Sequence, residues 1–402
     1  MPEPLQTVLY GIGGYGRFYV RFALDRKQHA IELAGAIDPA ARQCATGATL
    51  VEKHIPIFSS AGHCCAHHPV DLAIIATPPH LHALHITEAL AQGCNVLCEK
   101  PLCTVVDDAV TIANARDRAD KLVAIGYQWA YSPAIQRLKR DVAAGLFGRP
   151  LRMRSLVFWP RTVHYYRRNP WAGRLRDDAG RIVLDSPVMN GGAHFLHAMF
   201  FVLGDTPADS KNPVDICAEL YRAFDIESFD TAALRAHTGE GVEVLFYVSH
   251  CVAAEAGPKF TFEFENAVVS CDGPGREIVA HFHDNSVAAY GKIDHHSPGK
   301  LLDTVDAIRT GGDATCTVEA ALCQTLCANG CHESVPDIID VPPRLVKERE
   351  RDGVRWRWID GIDTLLTECF SRGRLPSELG ARWASSGKLI DVRNYRRFSA
   401  RV

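Results

Sequence analysis

The sequence predicts two domains of different class: an N-terminal α/β domain on a doubly wound parallel sheet, then an α+β domain with a largely antiparallel open sheet and flanking helices. Three observations carry this. From Thr7 to Tyr127 short apolar runs alternate with amphipathic ones, as strands and helices do around a parallel sheet. Gly145-Leu-Phe-Gly-Arg-Pro150 then punctuates the chain with residues that stop helices and turn the backbone. Beyond it, strand-like runs follow one another at hairpin spacing, several alternating apolar and polar residues.

The first strand, near 7–12, runs into Gly11-Ile12-Gly13-Gly14-Tyr15-Gly16 and then a helix carrying Phe18, Val20, Phe22 and Leu24. A diphosphate needs backbone N–H groups and a helix N-terminus brought close, which requires Cβ atoms to be absent where chain and ligand meet. The second strand, near 32–38, ends in Asp38, where a ribose diol would find its acceptor. Together these predict a Rossmann-type dinucleotide site, with NAD preferred over NADP because Asp38 repels a 2′-phosphate. Strands near 71–77, 94–99 and 121–127 follow, ending in Thr77-Pro78-Pro79-His80-Leu81-His82, in Glu99-Lys100-Pro101 and in Gly126-Tyr127-Gln128. Such carboxyl ends are where ligands bind in doubly wound sheets.

A helix near 133–144 leads to the boundary. The second domain's strands are expected near 151–159, 214–221, 231–236, 242–250, 259–265, 268–271 and 278–283, with helices over 299–310 and 317–334. The chain divides as 1–128 for the dinucleotide, 129–334 for the substrate and for oligomerisation, and 335–402 as an Arg-rich extension on the body with one helix near 362–371. Within the second domain a basic, aromatic loop holds Arg161, Tyr165, Tyr166 and Trp171. It is followed by Asp185-Ser186-Pro187, a helix start, and a helix ending before Gly204. On one continuous helix Asn190, His194 and His197 fall at i, i+4 and i+7 and share a face. Gly191 and Gly192 imply that a ligand ring or a neighbouring strand comes close there.

With 402 residues, a net charge of −3 and 23% charged residues, no basic excess argues for nucleic acid. No apolar stretch is long enough to span a bilayer, and the N-terminus shows no secretory pattern, so a cytoplasmic protein is expected. The 14 cysteines read as free thiols. Cys323, Cys327 and Cys331 recur along one helix face as small packing residues, and neither they nor His63-Cys64-Cys65-Ala-His67-His68 is read as a metal site.

The Gly-x-Gly-Gly-x-Gly-Arg turn, Asp38, Ala76-Thr77-Pro78 with His82, Glu99-Lys100-Pro101 and a His-bearing helix in a second, sheet-based domain resemble the Gfo/Idh/MocA oxidoreductases over roughly residues 5–334. The resemblance implies NAD-dependent hydride transfer at a secondary hydroxyl of a sugar, sugar acid or cyclitol. It implies that Lys100 polarises that hydroxyl and His194 takes its proton. Asn190 stands where the family commonly has Asp, so Asp185 is a candidate for the missing charge. The implied cofactor residues are Gly11, Ile12, Gly13, Gly14, Tyr15, Gly16, Asp38, Thr77, Pro78, His82, Glu99, Lys100, Gln128 and Trp171. Arg161, Tyr165, Tyr166 and His197 would meet the substrate. A homo-oligomer formed through the open sheet face is also implied. Two other readings stay open from the same residues: a glycosidase that oxidises only transiently, and a non-catalytic dinucleotide sensor.

Overall fold

The computed structural model describes residues 2–25, 29–294 and 298–402. Its first part is β1 (Leu5–Tyr10), α1 (Gly16–Leu24), β2 (Ile31–Ile37), α2 (Ala45–Glu52), β3 (Ile57–Phe58), α3 (Ala61–Cys65), β4 (Leu72–Ile75), α4 (His82–Ala91), β5 (Asn95–Glu99), α5 (Val106–Ala119) and β6 (Val123–Gly126). All six strands are parallel, in the order β3-β2-β1-β4-β5-β6. The order reverses between β1 and β4, and the crevice above that switch is where a doubly wound sheet binds its ligand. The two-residue β3 was not expected, because it is too short to show a period. Strand residues are buried on both faces, as the near-continuous apolar runs required. Leu9, Ile74, Leu97 and Ala124 face one cluster with Tyr19 and Val20 of α1, whereas Val8, Ala73 and Val96 face the other side.

After α6 (Pro133–Ala143) come β7 (Pro150–Phe158), α7 (Ala193–Val202), β8 (Pro213–Arg222), β9 (Thr231–Thr238), β10 (Glu243–Ser249), β11 (Ala256–Phe264), β12 (Ala267–Cys271), β13 (Glu277–Phe282) and β14 (Val287–Lys292). The chain then forms α8 (Gly299–Thr310), α9 (Val318–Ser334), β15 (Ile339–Asp340), a hairpin of β16 (Val346–Arg351) and β17 (Val354–Ile359), α10 (Ile362–Arg372) and β18 (Ile390–Asp391). The large sheet runs β14-β13-β12-β11-β7-β10-β9-β8-β15, with β18 on β8. It is antiparallel except where β7 meets β10 and β8 meets β15. Neither β14 nor the hairpin was expected, since β14 reads Val-Ala-Ala-Tyr-Gly-Lys and the hairpin strands are dominated by charge.

Two placements matter for the site. Parallel pairing of β7 and β10 brings Trp159 and His250, which follow these strands, side by side, with Trp159 N–H on Ser249 O at 3.0 Å and Arg161 N–H on His250 O at 2.9 Å. α8 returns to the first sheet, where Leu301 and Val305 join the cluster around α1. On the outer face of the large sheet, Leu156, Phe158, Leu245 and Tyr247 pack against Ile362, Leu366, Cys369 and Phe370 of α10. The chain's own extension therefore covers the central strands of the face on which the resemblance placed a partner. All 14 cysteines are free, and α9 buries Cys323, Cys327 and Cys331 as packing residues. No described helix is long and apolar enough to cross a membrane.

Candidate active site

The Gly-rich turn divides into two kinds of glycine. A Cβ on Gly11 would lie 2.8 Å from Ala76 O, and one on Gly16 would lie 1.9 Å from Gly11 O, so these two let α1 pack against β1 and the end of β4. Gly11 and Gly14 also have positive φ, 79° and 44°. Nothing lies within 4 Å of a Cβ built on Gly13 or Gly14. The turn thus leaves open space at the N-terminus of α1, which is what a diphosphate cradle requires. Ile12 is fully buried and contributes its backbone N–H, which donates to Asp38 Oδ2 at 2.9 Å; Ala40 N–H donates to Oδ1 at 2.8 Å. Asp38 therefore joins the end of β2 to the turn, beside a cleft of about 530 Å³ lined by Pro39, Arg42, His54 and Pro56 among others.

Two residues expected to touch the cofactor have other work. His82 is fully buried, with Nδ1 2.8 Å from Pro101 O and Nε2 2.9 Å from Thr77 O, so it ties the ends of β4 and β5 together from behind. Burial also lowers its pKa. The Glu99 carboxylate points under the turn: Tyr19 and Lys300 each donate to Oε1 at 2.6 Å. Lys300, from α8, lies 4.2 Å over the ring of Tyr15. Thr77 bonds His85 at 3.0 Å, and Pro78 precedes the short turn that presents His80. The Trp171 ring meets His80 edge-on at 6.3 Å, so the loop of the second domain closes on the end of β4. Gln128 opens the turn after β6 and is half-buried.

Lys100 points away from Glu99 toward the second domain. Its ammonium donates to Asn190 O at 2.9 Å and Asn190 Oδ1 at 3.0 Å, while Asn190 Nδ2 donates to Asp185 Oδ1 at 3.1 Å. Asp185 is buried and accepts Gly173 N–H at 2.7 Å on Oδ2, with Arg168 3.8 Å away. Burial raises its pKa, against the pull of these donors. Burial likewise lowers Lys100 to about 8, while the charges of Glu99 and Asp185 hold it up. Of three ammonium hydrogens, two are spent, and one remains for a ligand.

The expected continuous helix from Ser186 is instead a π turn over Pro187–Gly191 followed by α7. Ser186 Oγ does cap it, accepting Met189 N–H at 3.1 Å, but Gly192 N–H reaches back to Pro187 O at 2.6 Å. Wider turns of this kind recur at functional sites. The adjacent glycines admit β10 and the residue after it: Cβ atoms there would lie 2.9 Å from His250 Nε2 and 2.8 Å from Phe246 Cζ. Asn190 turns its amide to Lys100 and Asp185, so it positions the lysine. His194 is half-buried, its ring 6.1 Å from Tyr127. His197 departs from its expected place against the substrate. It is fully enclosed, stacked on Tyr127 at 3.9 Å with Nε2 3.1 Å from Ala320 O, and burial lowers its pKa to about 3, so it is a core residue out of a substrate's reach.

In the loop, Arg161 lies over Trp159 and Tyr165 at 5.4 and 4.7 Å, and Arg168 over Tyr165 at 3.7 Å. The Tyr166 hydroxyl is spent on His250 Nδ1 at 3.0 Å. Sequence reasoning missed Lys300, Tyr19 and His250. The first two act through burial against Glu99, and His250 could be found only by knowing that β7 and β10 pair.

With the crevice, the glycine cradle and the lysine in place, the comparisons bear on the family. The Gfo/Idh/MocA model, an oxidoreductase family with an NAD-binding Rossmann fold, matches residues 5–127. The first domain of the chain is thus similar to the NAD-binding domain of the Gfo/Idh/MocA family. It is 28% identical over 203 residues to the rhizopine catabolism protein MocA of Rhizobium meliloti, covering 50% of this chain but only 58% of that protein. It is 26% identical over 302 residues to inositol 2-dehydrogenase 2 of Mycolicibacterium vanbaalenii, covering 72% and 81%. Its fold matches the WlbA dehydrogenase of Bordetella pertussis, solved with NADH and UDP-GlcNAcA, at TM-score 0.67 and 20% identity over 83% of this chain and 97% of that one. The chain presents Glu99-Lys100-Pro101 at the end of β5, and the buried Asp185 stands one residue behind Asn190 in the network.

Proposed function

We propose that this chain is a Gfo/Idh/MocA-type, NAD-dependent dehydrogenase of a sugar, sugar acid or cyclitol secondary alcohol. The observation that carries the reading is the Lys100 ammonium at the end of β5, held by Asn190, which Asp185 holds in turn, with one hydrogen to spare, in a sheet whose first strand ends in the open Gly13-Gly14 turn. NAD, when bound, supplies the hydride acceptor. Lys100 orients and polarises the substrate hydroxyl, and His194 accepts its proton. Asp38 receives the adenosine ribose and disfavours NADP, while the turn after β4 and Trp171 confine the nicotinamide end. Similarity to an inositol dehydrogenase supports the substrate class. NADH formation, followed by absorbance across polyols, aldoses and aldonic and uronic acids, tests the reading. Tight NAD binding by calorimetry with no NADH from any of them would remove it.

A further inference from the structure

We propose that the substrate is anionic, a sugar-like alcohol carrying a carboxylate, and that Arg161 reads that carboxylate. The inference rests on the dehydrogenase reading of the same cleft and narrows it. Arg168, Arg174 and Arg181 of the loop each reach a carboxylate, Asp185 at 3.8 Å, Asp178 at 2.6 Å and Asp177 at 2.6 Å respectively. Among the described residues no carboxylate lies within 4 Å of Arg161. Nor is Arg161 a solvated surface charge: it is half-buried, and its Nε is enclosed without a hydrogen-bond partner. The faces of Trp159 and Tyr165 fix its guanidinium plane. Arg161 also hydrogen-bonds the Tyr165 side chain, which steadies the guanidinium further, and its remaining N–H groups are the kind of planar donor set that takes a carboxylate.

Its location ties this guanidinium to the reacting centre. Trp159 lies 3.6 Å and His250 2.9 Å from where a Gly191 side chain would begin, and Gly191 follows Asn190, the residue that holds Lys100. The local charges do not balance. Lys100, Arg161 and Arg168 are met by Asp185 and by Glu99, but Glu99 is shared with Lys300, and His250 is kept uncharged by burial beside Arg161 and Arg168, so the cations outnumber the carboxylates. An oxidised nicotinamide would add a further positive charge. A neutral polyol would leave this surplus uncompensated, whereas a carboxylate offsets it at a half-buried site where such pairing counts.

Glucuronate and galacturonate are assayed with NAD against glucose, galactose, myo-inositol and glucose 6-phosphate, and glucuronate is titrated calorimetrically into the NAD-loaded protein. The acids should exceed their neutral partners in kcat/KM by about 10²-fold, and Arg161→Gln should raise KM for the acids by about 10²-fold, with kcat changed only a few-fold, so that the selectivity collapses. Arg161→Lys should restore part of it. Equal use of neutral sugars, preference for the phosphate, or an acid KM indifferent to Arg161→Gln each overturns the inference and leaves the dehydrogenase standing. If no compound yields NADH, the dehydrogenase reading fails, and the titration still decides: Arg161-dependent glucuronate binding supports the carboxylate site, and its absence overturns it.

Discussion

Lys100 is charged or neutral within reach of ordinary working pH, and the reaction depends on which. Burial has brought it from 10.5 to about 8, and Asp185 helps to hold it there. In the proposed reaction the ammonium is the working form, so kcat/KM for alcohol oxidation should fall above about pH 8. Asp185→Asn removes a charge that favours the ammonium, so this alkaline limb should move to lower pH; a limb that stays in place would deny the coupling through Asn190. Lys100→Met and His194→Ala should each lower turnover by about 10² to 10⁴. Histidines buried as neutral groups set a second pH effect. His197, at about 3, and His332, at about 4, refuse protons that the unfolded chain takes up from about pH 6.5 downward. Their contribution to stability is therefore complete above pH 6.5 and is lost as pH falls, roughly 3 kcal/mol each by pH 4. Thermal unfolding across pH 4–7 should show this slope, and His197→Leu should flatten it by its share.

Among elements, the connection between α8 and β5 is the one on which the cofactor end of the site rests. Lys300 is 1% exposed and Glu99 8%, and the pair, with Tyr19, locks α8 and α1 under the strand that ends in Lys100. Lys300→Met strands a buried carboxylate and should cost about 3–5 kcal/mol in denaturant unfolding. Adding Glu99→Gln should recover much of that, and if the double variant is no better than the single, the charge is not the cause. This pair also marks how far the sequence could be read. The strand, glycine turn and helix, the switch-point sheet and the placement of Lys100 after β5 were legible because each is written in contiguous residues with a physical period. Lys300 was not, since its partner lies 201 residues away and nothing local marks it. The π turn was missed because Ser186-Pro187 starts a wider turn with the same residues that start an α-helix. His197 shows a different limit: it follows His194 by three residues within α7 and both rings meet Tyr127, but α9 covers it through Ala320, a long-range contact that spacing does not reveal.

For the molecule as a whole, the residues after α9 close the structure. α10 covers the apolar face of β7 and β10, and the carbonyls at its C-terminal end accept from Arg154 and from the Tyr247 hydroxyl, the latter 3.1 Å from Cys369 O. The hairpin just before it bridges Trp356 to Thr162 at the root of the loop after β7, and Arg357 donates to Ala223 O at 2.8 Å. The last residues tie back to the first part of the chain, with Phe398 N–H on Asp107 at 2.7 Å. The loop after β7 and the sheet cover are therefore joined into one assembly. Leu366→Asp, at a fully buried position of α10, forces an unpaired carboxylate against Leu156 and Tyr247 or lifts the helix off the sheet. Either way stability should fall by about 3 kcal/mol or more. Because the hairpin is joined to α10 through Gly361, loosening the helix should also loosen the loop and raise substrate KM several-fold, while the calorimetric Kd for NAD changes little. Exposing the strip should promote self-association, visible by light scattering. A Leu366→Asp protein as stable as the parent would mean that α10 does not cover this face in solution, and the face would then be open to a second copy of the chain.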